Sequence, residues 1–167
     1  MNILRCLSPV VFTAALLSGC STYDVTVNDR RVFTPRPLFT DYSISDSALA
    51  GCVGQSITDQ QVTSASELRT LRCSNAGITS LAGLETFTAL DRIDLRDNAI
   101  NDIAPLATTS AVQVLLLSGN DIVNPVPLYK LPAVIQLDLQ GNARLLCPDR
   151  SALFSVEQLQ LPRHCGG

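Results

Sequence analysis

The chain is predicted to be a short α/β solenoid: a parallel β-sheet on the concave side, a 3₁₀ or irregular convex side, and a helical cap at each end. Three observations predict it. An eleven-residue phrase opens at Leu68, Leu90, Val112 and Val134, at a spacing of 22 residues, and reads LRTLRCSNAGI, LDRIDLRDNAI, VQVLLLSGNDI and VIQLDLQGNAR. Within it apolar residues recur at positions one, four and six: Leu68/Leu71/Cys73, Leu90/Ile93/Leu95, Val112/Leu115/Leu117 and Val134/Leu137/Leu139. Asn98, Asn120 and Asn142 share position nine. Self-similarity at such a period marks stacked coils, each unable to bury its apolar face alone.

The elements follow in order. Residues 1–19 read as a signal peptide: Arg5 gives a basic start, 7–17 is mostly apolar but too short to span a bilayer as a mature helix, and the small residues Ser18 and Gly19 follow. Leu17-Ser18-Gly19-Cys20 resembles the bacterial lipobox. That resemblance implies cleavage before Cys20, a diacylglycerol on its thiol and acylation of the new amino terminus. Each buried methylene contributes about 0.8 kcal/mol, so several acyl chains hold a protein on a membrane. In the lipoprotein pattern an aspartate after the cysteine favours the inner membrane; Ser21 stands there, so the outer membrane is expected, on its periplasmic face. An ordinary signal peptide followed by a chance cysteine is the competing reading.

Residues 20–43 are expected to be a lipid-anchored tether with a reach of roughly 25–30 Å if flexible. Val25, Val27, Val32 and Phe33 flank Asn28-Asp29 and offer a small hairpin instead. Residues 44–67 are expected to form the N-terminal cap, with a helix over 45–53 capped by Ser45 and a capping box from Ser64 and Glu67. Residues 68–146 hold the repeats. Positions three to eight should be a strand, with four and six inward and five outward. The asparagine at position nine both donates and accepts, so it can satisfy turn backbone that has left the sheet. The first phrase has Ala76 there, with Asn75 one place early, and predicts a weaker ladder. Ile78/Leu81/Leu84, Ile100/Ile103/Leu106 and Ile122/Pro125/Leu128 repeat on the return side, where Pro105 and Pro127 disfavour regular helix. After Asn142, Arg144 replaces the expected isoleucine. Residues 147–167 are expected to be the C-terminal cap, with a helix starting at Cys147-Pro148-Asp149 and an extended segment through Leu159 and Leu161.

Asn-x-Ile followed by Ile/Leu-x-x-Leu, at this period, resembles internalin-like leucine-rich repeats over about 68–147. The whole layout resembles small bacterial leucine-rich-repeat lipoproteins. Internalins bind host receptors through the concave sheet; their contact residues do not carry over, because concave positions vary and this array is far shorter.

Once the leader and its Cys6 are removed and Cys20 is lipidated, four cysteines remain: Cys52, Cys73, Cys147 and Cys165. An exported chain meets an oxidising compartment, and four cysteines allow three connectivities. Cys52–Cys73 and Cys147–Cys165 are expected, because each pair brackets one end of the array. A zinc site competes but lacks close CxxC spacing, so no metal and no cofactor is expected.

Without Arg5 the chain carries 11 basic and 15 acidic residues, a balance that argues against a nucleic-acid partner. HExxH, GxSxG and phosphate-binding glycine loops are absent, and His164 is the sole histidine. It reads as a solvated tail residue, and no enzyme is expected. The concave positions are the informative surface. Position three carries Thr70, Arg92, Val114 and Gln136; position five Arg72, Asp94, Leu116 and Asp138; position seven Ser74, Arg96, Ser118 and Gln140. Arg72 is expected beside Asp94. Val114 and Leu116 place two outward apolar side chains at the centre of a polar sheet, rimmed by Arg92, Asp94, Arg96, Asp138 and Gln140, a composition typical of binding hot spots. The expected function is a lipid-anchored, non-catalytic protein-binding module of the bacterial cell envelope. The rivals are an accessory lipoprotein of an assembly or secretion machine, with contact made by the tether, and a surface-displayed adhesin. The sequence names neither the protein ligand nor the oligomeric state.

Overall fold

The computed structural model describes residues 37–166, and ahead of them the backbone of two short strands. The expected signal peptide and Cys20 lie outside the described residues, as does most of the expected tether up to residue 36. The chain divides into two units, 1–36 and 37–167. In the first, β1 (Val25–Val27) pairs antiparallel with β2 (Arg30–Phe33) on either side of Asn28-Asp29.

The second unit begins before the expected cap boundary. Residues 37–43, assigned to the tether from sequence, lie against the core: Leu38, Phe39 and Tyr42 pack on it, and Phe39 N donates to Val62 O at 2.9 Å. Phe39, Tyr42 and Phe87 form an aromatic cluster with centroids 5.5–6.0 Å apart. Gly83 sits at φ +99°, and any side chain there would run into the Ser43 carbonyl, so this close approach requires glycine.

The cap helix α1 spans Ser47–Asp59, longer than the expected 45–53, and its N-cap is Asp46 rather than Ser45. Leu49, Val53 and Ile57, four residues apart, carry one buried face through the added turn. Asp46 outcompetes serine because it has two oxygens to use. Oδ1 accepts from Ala48 N and Leu49 N at 3.0 Å each; Oδ2 accepts from Thr79 N, Thr79 Oγ1 and Ser80 N at 2.9, 2.9 and 3.1 Å. One carboxylate thus caps the helix and ties it to the first repeat's return loop. Burial opposes ionisation most strongly, but the bonds from Leu49, Thr79 and Ser80 together outweigh it and lower the pKa from 3.8 to about 2. A depressed carboxylate stabilises the fold above pH 3.8, and that contribution is lost as pH falls toward 2. In full it corresponds to about 2 kcal/mol, reduced by solvent screening to about 1 kcal/mol. Asp46→Asn is expected to narrow the stability gap to wild type between pH 5 and pH 2, read by denaturant unfolding at both values.

The expected capping box does not form. Ser64 makes no side-chain cap bond, and the Glu67 carboxylate accepts from Thr63 N and Oγ1 at 2.8 and 3.1 Å. Only a 3₁₀ turn, Ala65–Glu67, leads into the array.

The array is a parallel five-stranded sheet in chain order: β3 (Thr70–Arg72), β4 (Arg92–Asp94), β5 (Val114–Leu116), β6 (Gln136–Asp138) and β7 (Gln158–Gln160). The strands cover positions three to five, shorter than expected, yet coil-to-coil bonds run on: Cys73 N donates to Asp94 O at 2.8 Å and Asn75 N to Arg96 O at 2.9 Å. Positions one, four and six of all four phrases are buried. Position eight bends the chain into the left-handed region, at φ +53° for Asn75, +56° for Asp97, +67° for Gly119 and +74° for Gly141, the residue types that tolerate it. At position nine each asparagine bridges coils. Asn120 Nδ2 donates to Leu95 O and Leu117 O at 2.9 and 3.0 Å, and its Oδ1 accepts from Ile100 N at 3.1 Å. Asn98 and Asn142 repeat the pattern. The first coil has no rung of its own; Asn98 Oδ1 accepts from both Ala76 N and Ile78 N. The convex side carries 3₁₀ turns at Leu84–Thr86, Ala104–Thr108 and Val126–Lys130, with Pro105 and Pro127 in their first turns.

The C-terminal end departs most from expectation. Among the described residues it contains no α-helix, only 3₁₀ turns at Arg150–Ala152 and Arg163–Cys165, the first capped by Asp149. The segment through Leu159 is a fifth strand in full register, with Leu137 opposite Leu159. Val156, Leu159 and Leu161 are positions one, four and six of a fifth phrase, and all three pack on the core. His164 stands at its position nine, and its Nε2 donates to Leu145 O at 2.9 Å. Leu145, one place after Arg144, fills the missing isoleucine's role in the core.

Cys52–Cys73 and Cys147–Cys165 are both disulfide-bonded; the first staples the cap helix to the first repeat, and the second ties the start of the C-terminal segment to its end. Loops of this length contribute about 3 kcal/mol by chain entropy. Replacing Cys52 and Cys73 together with serine is expected to cost about that much and to raise amide exchange first across 47–59, because a solenoid frays from its ends.

Candidate binding surface

The register decides which outward side chains are neighbours. Arg72, Asp94, Leu116, Asp138 and Gln160 form one row across the sheet, and Arg92, Val114, Gln136 and Gln158 form another behind Thr70. Val114 and Leu116 are partly buried, and they occupy the central strand. Asp94 and Asp138 flank Leu116 directly. Arg72 stands beside Asp94 in register, as expected, but the close ion pair of Asp94 is made within β4 and its exit. Arg96 Nε and Nη2 donate to Asp94 Oδ1 and Oδ2 at 2.9 and 2.7 Å, a bidentate pair. Residues two apart share a face, and the planar guanidinium meets the carboxylate edge-on. Hydrogen bonding by Arg96 holds the Asp94 pKa below its ordinary value; burial opposes this, and Arg72 adds only through-space attraction. Asp94 also accepts from Arg96 N at 3.3 Å, and Asp138 from Gln140 N at 3.0 Å, so both carboxylates close the strand exits.

The surface therefore presents an apolar centre, an acid fixed on each side, and Arg92 and Arg96 at one margin. Carboxylates locked by arginine or backbone N–H groups, as Asp94 and Asp138 are, make poor general bases. Asp91 makes no ion pair among the described residues, and the single imidazole donates to a backbone carbonyl far along the chain from these acids. Cys147, His164 and Cys165 place three potential ligand atoms within 4.8 Å of one another, but the two sulfurs are bonded together and offer no thiolates to a metal. A second concavity, an open groove of about 390 Å³, lies between α1 and β3 beside Gln55, Asp59, Gln60 and Arg72. Sequence reading missed it because the groove depends on where the cap helix docks.

No protein-family model matches the chain, and no curated protein does. Among solved structures it is similar to internalin C2 from Listeria monocytogenes, with a TM-score of 0.58 and 28% identity over 70% of this chain and 53% of that one. The chain thus spans about half the length of the protein it matches. The register, the asparagine ladder and this likeness together show a leucine-rich-repeat-like fold.

Proposed function

We propose that the protein is a lipid-anchored, non-catalytic binding module of the bacterial cell envelope that engages a protein ligand on its concave sheet. The observation that carries the reading is the apolar pair Val114 and Leu116 on the middle strand, with charged neighbours in register on both sides. Apolar area at the centre supplies affinity, and the ring of fixed charge sets orientation. The internalin likeness supports the binding part of the reading. The lipobox-like Leu17–Cys20 supports an acyl anchor, and Ser21 supports the outer membrane.

Two measurements test the two parts. Cys20→Ala is expected to abolish palmitate labelling and accumulate precursor; normal labelling in that variant removes the anchor. A photo-reactive residue at position 116 is expected to capture a discrete protein in the envelope, identified by mass spectrometry. Capture that is unchanged when the probe is moved to the convex Val126 removes the concave site.

A further inference from the structure

The two edges of the five-stranded sheet are not equivalent. At the first edge, Thr70 and Arg72 turn their backbone groups toward the cap. There Gln60 Nε2 donates to Thr70 O at 2.7 Å, and Cys52 Sγ lies 3.2 Å from Arg72 O. That edge is occupied. At the last edge, Gln158 N donates to Ile135 O at 3.0 Å and Gln160 O accepts from Leu139 N at 2.8 Å, so these two residues direct their backbone inward to β6. Alternation then turns the N–H and C=O of Leu159 outward, and among the described residues neither has a hydrogen-bond partner. An open sheet edge is a template for another strand.

We infer that this edge pairs with the same edge of a second copy of the chain, antiparallel about a two-fold axis through Leu159. The sequence around the axis is self-complementary. Leu159 faces Leu159 of the second copy, so each N–H meets the other's C=O and both open groups are satisfied. Gln158 faces the second copy's Gln160 on the concave side, and each amide both donates and accepts. Leu159 and Leu161, only partly buried in one chain, gain apolar cover on the inner side. Glu157 comes within two residues of the second copy's Arg163, which places opposite charges diagonally across the pair. Pro162 ends the edge and restricts pairing to this register. The same last coil leaves Phe154 81% exposed, which adds apolar area at the end that would meet the partner. Two sheets then run on as one, and two concave faces join without using Val114 or Leu116. The inference is independent of the ligand reading.

The test uses the full chain solubilised in detergent and sedimentation over a wide concentration range. Wild type is expected to show a monomer–dimer equilibrium. Replacing both glutamines by glutamate (Gln158→Glu with Gln160→Glu) sets like charges opposite each other twice and is expected to weaken the dimer by about tenfold. Both side chains are exposed, so the unfolding temperature should not move at concentrations low enough for every form to be monomeric. The paired change to lysine at both positions is expected to weaken it similarly, and mixing the glutamate and lysine forms to restore association. A wild type that stays monomeric overturns the inference. So does a dimer indifferent to either set of charges, which is how two chains sharing a micelle would behave, or one not restored on mixing.

Discussion

Leu117→Asp is expected to unfold the array, while Leu116→Asp, one residue earlier, leaves it folded. Leu117 is fully buried and its carbonyl accepts from both Asn120 and Asn142. A carboxylate there has no partner and no water, and the cost, of the order of 5 kcal/mol, matches the whole stability of a small domain. Leu116 points to the concave side and removes no core volume. Its register neighbours are Asp94 and Asp138, so a third aspartate in that row costs roughly 1 kcal/mol in repulsion. Leu116→Ser avoids this and serves as the cleaner binding probe. Either change at 116 is expected to weaken the captured ligand by about 1–3 kcal/mol, roughly 5- to 150-fold. Circular dichroism and thermal melting read the fold; titration with the captured protein reads binding. Melting of Leu116→Ser would reverse the inside–outside assignment. Full retention of affinity would take the ligand off the concave sheet.

Asn120→Ala is expected to cost about 2–4 kcal/mol. Its amide is buried and bonds Ile100 N and Leu95 O of the preceding coil and Leu117 O of its own. Alanine leaves Ile100 N buried and unpaired, while Leu95 O and Leu117 O each lose one of two amide donors and keep those from Asn98 and Asn142. Asn98→Ala should cost less, because Asn98 is only partly buried and water can replace it. Denaturant unfolding of the two variants gives the comparison; equal losses would mean that the ladder is not what satisfies those groups.

The repeat and the inward positions were legible because both are periodic. Position four and position six recur in every phrase, and one strand's alternation determines which side each faces. The ladder was legible for the same reason. Position eight was equally periodic, as Asn75, Asp97, Gly119 and Gly141, but its meaning is torsional: only a backbone conformation shows that this column needs φ > 0. The fifth phrase was hidden by two substitutions. His164 replaces the asparagine, and Leu145 shifts the expected isoleucine by one place. The 22-residue spacing from Val134 to Val156 and from Leu137 to Leu159 was the available signal.

Local pattern settles what each residue does within its own coil: which side chains are apolar, which asparagine turns the chain, and where proline bars a helix. Partners far along the chain are another matter, because several chemically equal candidates compete and packing chooses among them. Asp46 rather than Ser45 caps α1 because only its second oxygen also reaches Thr79 and Ser80, 33 and 34 residues on. Arg96 rather than Arg72 takes Asp94 because its guanidinium meets both oxygens from the same strand exit. Residues 37–43 leave the tether because Phe87 and Gly83 offer them a surface that exists only once the coils are stacked. The outward backbone groups of Leu159 are likewise set by stacking: among the described residues no strand receives them.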